Sequence, residues 1–164
     1  MRATLRLELT KRDTGELVAR RQANNAVMKG GAGLIAALLS GQGTPITHMG
    51  VGTSDEPTPE TFDAESLTVP DGELEGATEA AIAAENFTTE IDETRRVVIL
   101  RVRGTLPDEA AVGRVREAGL IARTGAAEAV LYNRVTFDPI DKGPDHELTL
   151  FWEVTFPYGD LQWF

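Results

Sequence analysis

The residues best suited to chemistry are few and scattered. Among its 164 residues the chain has two histidines and no cysteine. His48 lies in Ile46-Thr47-His48-Met49-Gly50-Val51-Gly52-Thr53-Ser54, beside a G-x-G-T turn, where an imidazole next to an anion-binding loop would serve as a general base. His146 lies between Asp145 and Glu147, one half of a carboxylate and imidazole metal site. The serines are at 40, 54 and 66, which makes Ser54 the nucleophile closest to His48 in sequence. Asp55, Glu56, Asp63, Glu65 and Asp71 supply oxygen donors of the kind Ca2+ takes.

Each pattern lacks the partners its chemistry requires. A phosphate loop needs G-x-x-x-x-G-K-[ST], or G-x-G-x-x-G opening a helix, whereas Gly52 is followed by Thr-Ser-Asp-Glu-Pro, whose carboxylates repel an anion. Neither H-x-H nor H-E-x-x-H completes a metal site, the G-x-S-x-G elbow is absent, and so is the EF-hand order. With 26 acidic residues some pair always falls at glycosidase spacing, so such a pair says nothing. The spacing therefore predicts structural roles: His48 in a strand with Gly50 and Gly52 permitting a sharp exit, and His146 at a solvated strand end. No catalytic residue, cofactor site or metal ligand is assigned, and the chain reads as non-enzymatic with no cofactor.

Composition narrows the classes further. The length suits one domain able to bury about 70% of its unfolded surface. Without cysteine there is no disulfide framework or thiolate site. A formal charge of −10, from 26 acidic and 16 basic residues, opposes approach to a phosphate backbone, so nucleic acid is not an expected partner. The apolar run "GLIAALL" at 33–39 is far short of the roughly 20 residues that cross a bilayer, and residues 1–25 carry no signal-peptide core. A soluble protein with no membrane partner is the expectation.

The elements that must position these residues are mostly strands. Ala3, Leu5, Leu7 and Leu9 alternate with Thr4, Arg6, Glu8 and Thr10, and a turn at Asp13-Thr14-Gly15-Glu16 predicts an N-terminal hairpin over 1–22. Val27, Leu34, Ile35, Leu38 and Leu39 recur at helical spacing, predicting a helix over 25–41 capped by Asn24 or Asn25 and stopped by Gly41. Gly30, Gly31 and Gly33 weaken that helix, which suits irregular first turns or close packing on a neighbour.

Residues 53–85 are rich in Pro, Glu, Asp and Thr and predict an extended acidic loop, its "ATEAAIAAE" piece suited to a short helix. Residues 86–156 predict antiparallel strands, the most regular being "HELTLFWEVTF" at 146–156 with Leu148, Leu150, Trp152, Val154 and Phe156 on one face. Residues 157–164 form an aromatic C-terminal tail. The fold class is mainly β with one N-terminal helix: an antiparallel β-sandwich or related barrel with a long inserted loop, in a single domain over 1–164.

The order of these parts resembles tail structural proteins of tailed bacteriophages, of the tail-fibre, tail-collar or baseplate-adaptor type, or the equivalent subunit of a contractile injection particle. The likeness rests on "NNAVMKGGAGLIAALLSGQGTPITHMGVGTSDEPTPETF", on "VREAGLIAR" at 115–123, and on "AVLYNRVTFDPIDKGPDHELTLFWEVTF", spanning about residues 24–156. It implies a virion structural protein that self-associates in a tail (fibre attachment, baseplate, collar or neck region) and is assembled in the host cytoplasm. Its partners would be further copies and other tail or particle proteins. At 164 residues the chain lacks a long repetitive shaft or receptor-binding tip, which favours an adaptor over a receptor-binding fibre.

The residue reading points the same way, because extended loops and termini docking on neighbours order large surfaces. The candidate interface residues are Phe62, Leu67 and Leu74 in the loop and Tyr158, Trp163 and Phe164 in the tail. A carbohydrate-binding β-sandwich module, with Trp152 or Trp163 as the sugar platform, is the alternative.

Overall fold

Alternation of apolar and polar residues builds two antiparallel sheets that share one core. A computed structural model describes residues 2–57, 60–125 and 127–159. The first sheet has the order β2-β1-β12-β8-β7, from Leu17–Asn24 (β2), Arg2–Lys11 (β1), His146–Pro157 (β12), Val97–Leu106 (β8) and Phe87–Asp92 (β7). The second runs β3-β11-β9-β4-β6, from Ala26–Val27 (β3), Asn133–Lys142 (β11), Val112–Arg123 (β9), His48–Gly52 (β4) and Glu79–Ala81 (β6). Leu74–Glu75 (β5) and Ala129–Leu131 (β10) also pair with β9. The result is a β-sandwich with one helix, Lys29–Leu39 (α1), as the sequence pattern predicts.

The core is where the inward faces of both sheets meet. Register places Ala23, Leu5, Trp152, Val102 and Phe87 in one row across the first sheet. Leu5, Trp152 and Val102 are at most 1% exposed and join Met49, Val51, Ala118 and Leu120 of the second sheet in one cluster. Gly104 on β8 faces Met49 on β4, and a Cβ there would collide with the Met49 thioether, so the glycine sets how closely the sheets approach.

Several boundaries differ from the sequence pattern, each for a tertiary reason. Asn24 ends β2 and the Asn25 amide donates to the Ala3 carbonyl, so neither caps the helix. The helix instead starts at Lys29, whose amide donates to the Phe62 carbonyl at 2.8 Å, so the loop backbone satisfies a free N–H of its first turn. Gly41 does follow the helix with a positive φ, as a C-terminal stop requires. Gly31 is buried against the Tyr132 carbonyl, which a Cβ would strike. Close packing, not irregularity, thus explains that glycine.

The Ala-rich "ATEAAIAAE" piece forms β6 and a 3-10 turn at Ala84–Asn86 rather than a helix, because pairing of β6 with β4 outweighs helix propensity. The 53–85 segment therefore contains two short strands. Residues 129–142 make two strands broken at Tyr132, and "DPIDK" continues β11 through a register shift between Thr136 and Ile140. Pro139 lacks an N–H, and Arg21 of β2 donates to the Asp138 and Pro139 carbonyls there, tying the two sheets together at that edge. On β8 the outward-facing Val97 and Ile99 are buried, and charge takes over at Arg101 and Arg103.

Candidate functional site

The glycines of "MGVGTS" fit a packing role. Met49 and Val51 point into the core, so Gly50 and Gly52 lie on the opposite, outer face of the second sheet, as does Gly119 of β9. Leu67 and Thr68 of the acidic segment lie on that face. A Cβ on Gly50 would press on Leu67, one on Gly52 would strike the Glu117 carboxylate and the Thr68 carbonyl, and one on Gly119 would strike the Asn133 carbonyl. The absence of side chains lets the acidic segment rest directly on the strands.

A buried ion pair fastens this layer. Arg134 of β11 and Glu117 of β9 are 2.5 Å apart (Nε to Oε2), with side chains 3% and 0% exposed. The other Glu117 oxygen accepts from the Thr68 amide at 2.6 Å. Arg134 also donates to the Glu56 carbonyl at 3.0 Å, Thr61 Oγ1 at 2.5 Å and Ser54 Oγ at 3.2 Å. Each charge is thus satisfied by its partner and by loop atoms, the condition under which a buried pair is tolerated. Both ends of the segment are also pinned to each other, since the Thr53 amide donates to the Thr68 carbonyl at 2.9 Å. Sequence reasoning named neither Glu117 nor Arg134. The acidic residue inside an otherwise apolar central strand, "VREAGLIA", was the available signal.

The residues singled out for chemistry do not converge. Ser54 is engaged by Arg134 and by the Glu56 amide, while His48 Nδ1 contacts its neighbour Thr47 Oγ1 at 2.8 Å. His146 sits in the other sheet, its Nδ1 accepting from the Gly143 amide at 2.9 Å. Asp55 pairs with Arg116 at 2.9 Å. Among the described residues no group of three or more His, Cys, Asp or Glu side chains is placed to hold a metal ion.

The candidate interface residues divide. Phe62 is 56% exposed and Tyr158 40% exposed. Leu67 is half-buried against Met28, Ile121 and Leu131, holding the layer down. Leu74 is a correction: it is buried in the main core, because β5 pairs with β9 and turns the side chain inward, so it is not a surface residue. Trp163 and Phe164 lie outside the described residues. Trp152, the proposed sugar platform, is also a correction, since it is 1% exposed at the centre of the sandwich.

Negative charge is concentrated in one segment, while the outer face of the first sheet carries arginines and carboxylates together, with Glu85 and Glu153 lining its groove beside Arg6, Arg101 and Arg103. Residues 53–85 hold ten acidic side chains and no basic one, and the remaining residues hold sixteen of each sign, so this segment carries the whole net charge of −10. Within it Asp55 and Glu79 have ion partners, the latter Arg123 at 2.7 Å. On the outer face of the first sheet, register aligns Gln22, Arg6, Phe151 and Arg103 in one row. The Arg6 and Arg103 guanidinium carbons stand 4.4 and 5.7 Å from the Phe151 ring centre, lining an open groove of about 570 Å³.

A buried lysine closes the far end of β11. Lys142, 2% exposed, donates to the Pro107 and Asp108 carbonyls at 2.7 and 2.9 Å. Burial pushes its amine below the usual lysine range, while the charges of Asp108, Glu109 and Glu147 pull the other way. Comparison of the chain with protein-family models, with curated proteins and with solved structures returns no match.

Proposed function

We propose that the chain is a non-enzymatic structural subunit that self-associates and docks on other components of a phage tail or a related contractile injection particle. The observation that carries this reading is the anchored acidic layer. A segment of this length would be mobile if its role were only to connect β4 to β7, yet a buried Glu117–Arg134 pair, three glycines and Leu67 fix it on the sheet. Fixing it presents Phe62 and the exposed carboxylates of Glu60, Asp63 and Glu65 in constant geometry, which lowers the ordering cost of docking. The resemblance of the segment order supplies the tail assignment.

Sedimentation velocity and light scattering over a concentration series test the reading, with co-purification from cells expressing the neighbouring tail components. Concentration-dependent association and recovery of tail proteins are expected. A chain that stays monomeric at high concentration and recovers no tail component would sink it. The carbohydrate-binding alternative is favoured by one feature, the half-buried Phe151 ring lining the groove. Glycan-array binding lost on Phe151→Ala would support it, and a flat response across glycans counts against it.

A further inference from the structure

We propose that the acidic layer of one copy docks on the Arg6–Phe151–Arg103 row of the outer face of the first sheet of a second copy, so that chains stack head to tail. The inference rests on the self-associating reading above and specifies its contact. The two surfaces lie on opposite sides of the sandwich. Leu5 and Leu7 face the core while Arg6 between them faces out, and Met49 and Val51 face the core while Gly50 and Gly52 lie under the layer.

The surfaces are complementary in charge and in shape of contact. Glu60, Asp63, Glu65, Asp71 and Glu73 of the layer are exposed and form no ion pair among the described residues. On the other side Arg103 has no carboxylate partner among the described residues, and Arg6 shares Glu8, at 3.5 Å, with Arg20. Arg101 is already neutralised by Glu90 and Glu153, so docking falls to Arg6 and Arg103. Phe62, exposed amid the carboxylates, meets in that row an aromatic ring flanked by two guanidinium planes. Such pairing places an apolar anchor inside a charged rim, the usual anatomy of a protein interface.

Because the two patches differ and face opposite ways, the contact is heterologous. It closes into a ring if the rotation per copy closes, and otherwise extends as a filament. A chain whose net charge is −10 repels its copies when they approach at random, whereas this orientation sets Arg103 and the weakly paired Arg6 against the unpaired carboxylates.

The test is sedimentation velocity on the full chain, comparing wild type, the face variant Arg6→Glu/Arg103→Glu, the layer variant Asp63→Lys/Glu65→Lys, and an equimolar mixture of the two. All four positions are exposed, and unchanged thermal unfolding of each variant confirms an intact fold. Each variant alone is expected to associate about tenfold more weakly or worse. The mixture recovers association, since each reversed surface then meets its complement. Arg103→Gln, which removes charge and keeps bulk, weakens association in the same direction. Wild type that associates while both variants associate as tightly overturns the docking and leaves self-association standing. Loss in both variants without recovery on mixing overturns the head-to-tail pairing. A wild type that is monomeric throughout overturns this contact and the self-associating reading together.

Discussion

Glu117 and Arg134 face each other on neighbouring strands with 2.5 Å between Oε2 and Nε, and neither side chain exceeds 3% exposure. Among the described residues their remaining hydrogen bonds run to the segment that covers them, through Thr68 on one side and Glu56, Thr61 and Ser54 on the other. The pair therefore couples the central strand of the second sheet to the acidic layer. Losing either partner leaves a charge buried without compensation. We expect Glu117→Ala and Arg134→Ala each to cost about 3–5 kcal/mol in chemical denaturation. Amide exchange at Thr53 and Thr68 should quicken in parallel. The double variant Glu117→Leu/Arg134→Leu should cost less than the two single alanine losses added together, because no orphan charge remains. A Glu117→Ala loss below about 1 kcal/mol, the scale of an exposed pair, would contradict the anchoring role.

Two glycines of one helix should respond in opposite directions. A Cβ at Gly31 meets the Tyr132 backbone carbonyl, which cannot swing aside, whereas at Gly33 it meets nothing within 4 Å. Gly33→Ala should stabilise by up to about 1 kcal/mol through helix propensity alone. Gly31→Ala should destabilise, by about 1–3 kcal/mol in line with overpacked cores. Thermal unfolding of both variants checks this, and equal shifts of the same sign would refute the close approach of helix and strand.

Leu74 and Phe62 lie in the same acidic segment and should behave as opposites. Leu74→Ala removes a buried side chain and should cost about 2–5 kcal/mol. Phe62→Ala, at a side chain 56% exposed, should leave stability within about 1 kcal/mol while weakening self-association measured by sedimentation. A stability loss at Phe62 comparable to that at Leu74 would place it in the core of the layer instead.

Lys142 links stability to pH. Its amine titrates below the ordinary value of 10.5 when folded, so between the folded and unfolded pKa the unfolded chain binds more protons. Stability contributed through this group therefore rises with pH across that window and is constant above it. Lys142→Met removes the titration. The unfolding free energy of wild type minus that of Lys142→Met should climb as pH rises toward the unfolded value of 10.5 and level off above it. A difference that is flat or falling across that range would show that the amine keeps its ordinary affinity for the proton.

Period and punctuation made the framework legible. The alternation of Leu5, Leu7 and Leu9, and of Leu148, Leu150, Trp152 and Val154, specifies which face of β1 and β12 is buried, because side chains of a strand alternate by covalent geometry. The Asp13-Thr14-Gly15 turn, the helix near Gly41 and the mainly β class follow from local chemistry in the same way. The start of the helix was not legible, since Asn24 and Asn25 are as competent to cap as to pair, and only the neighbouring Ala3 decides between them.

The candidate surface was the least legible part, because it depends on which residues meet across large sequence distances. Composition marks 53–85 as an acidic segment with apolar anchors, and it assigns Leu74 and Phe62 the same character. Tertiary structure separates them: strand pairing turns Leu74 inward, while Phe62 remains outside. Likewise Gly50 and Gly52 are turn residues by sequence, and become a seat for the chain only when Glu117, Thr68 and Leu67 arrive above them. The sequence by itself determined periodicity, charge and the absence of cysteine chemistry, all properties of single residues and their nearest neighbours. The fold alone decided that Glu117 meets Arg134, seventeen residues away, and that the arginine row and the acidic layer face opposite ways, because these are relations of register and packing rather than of composition.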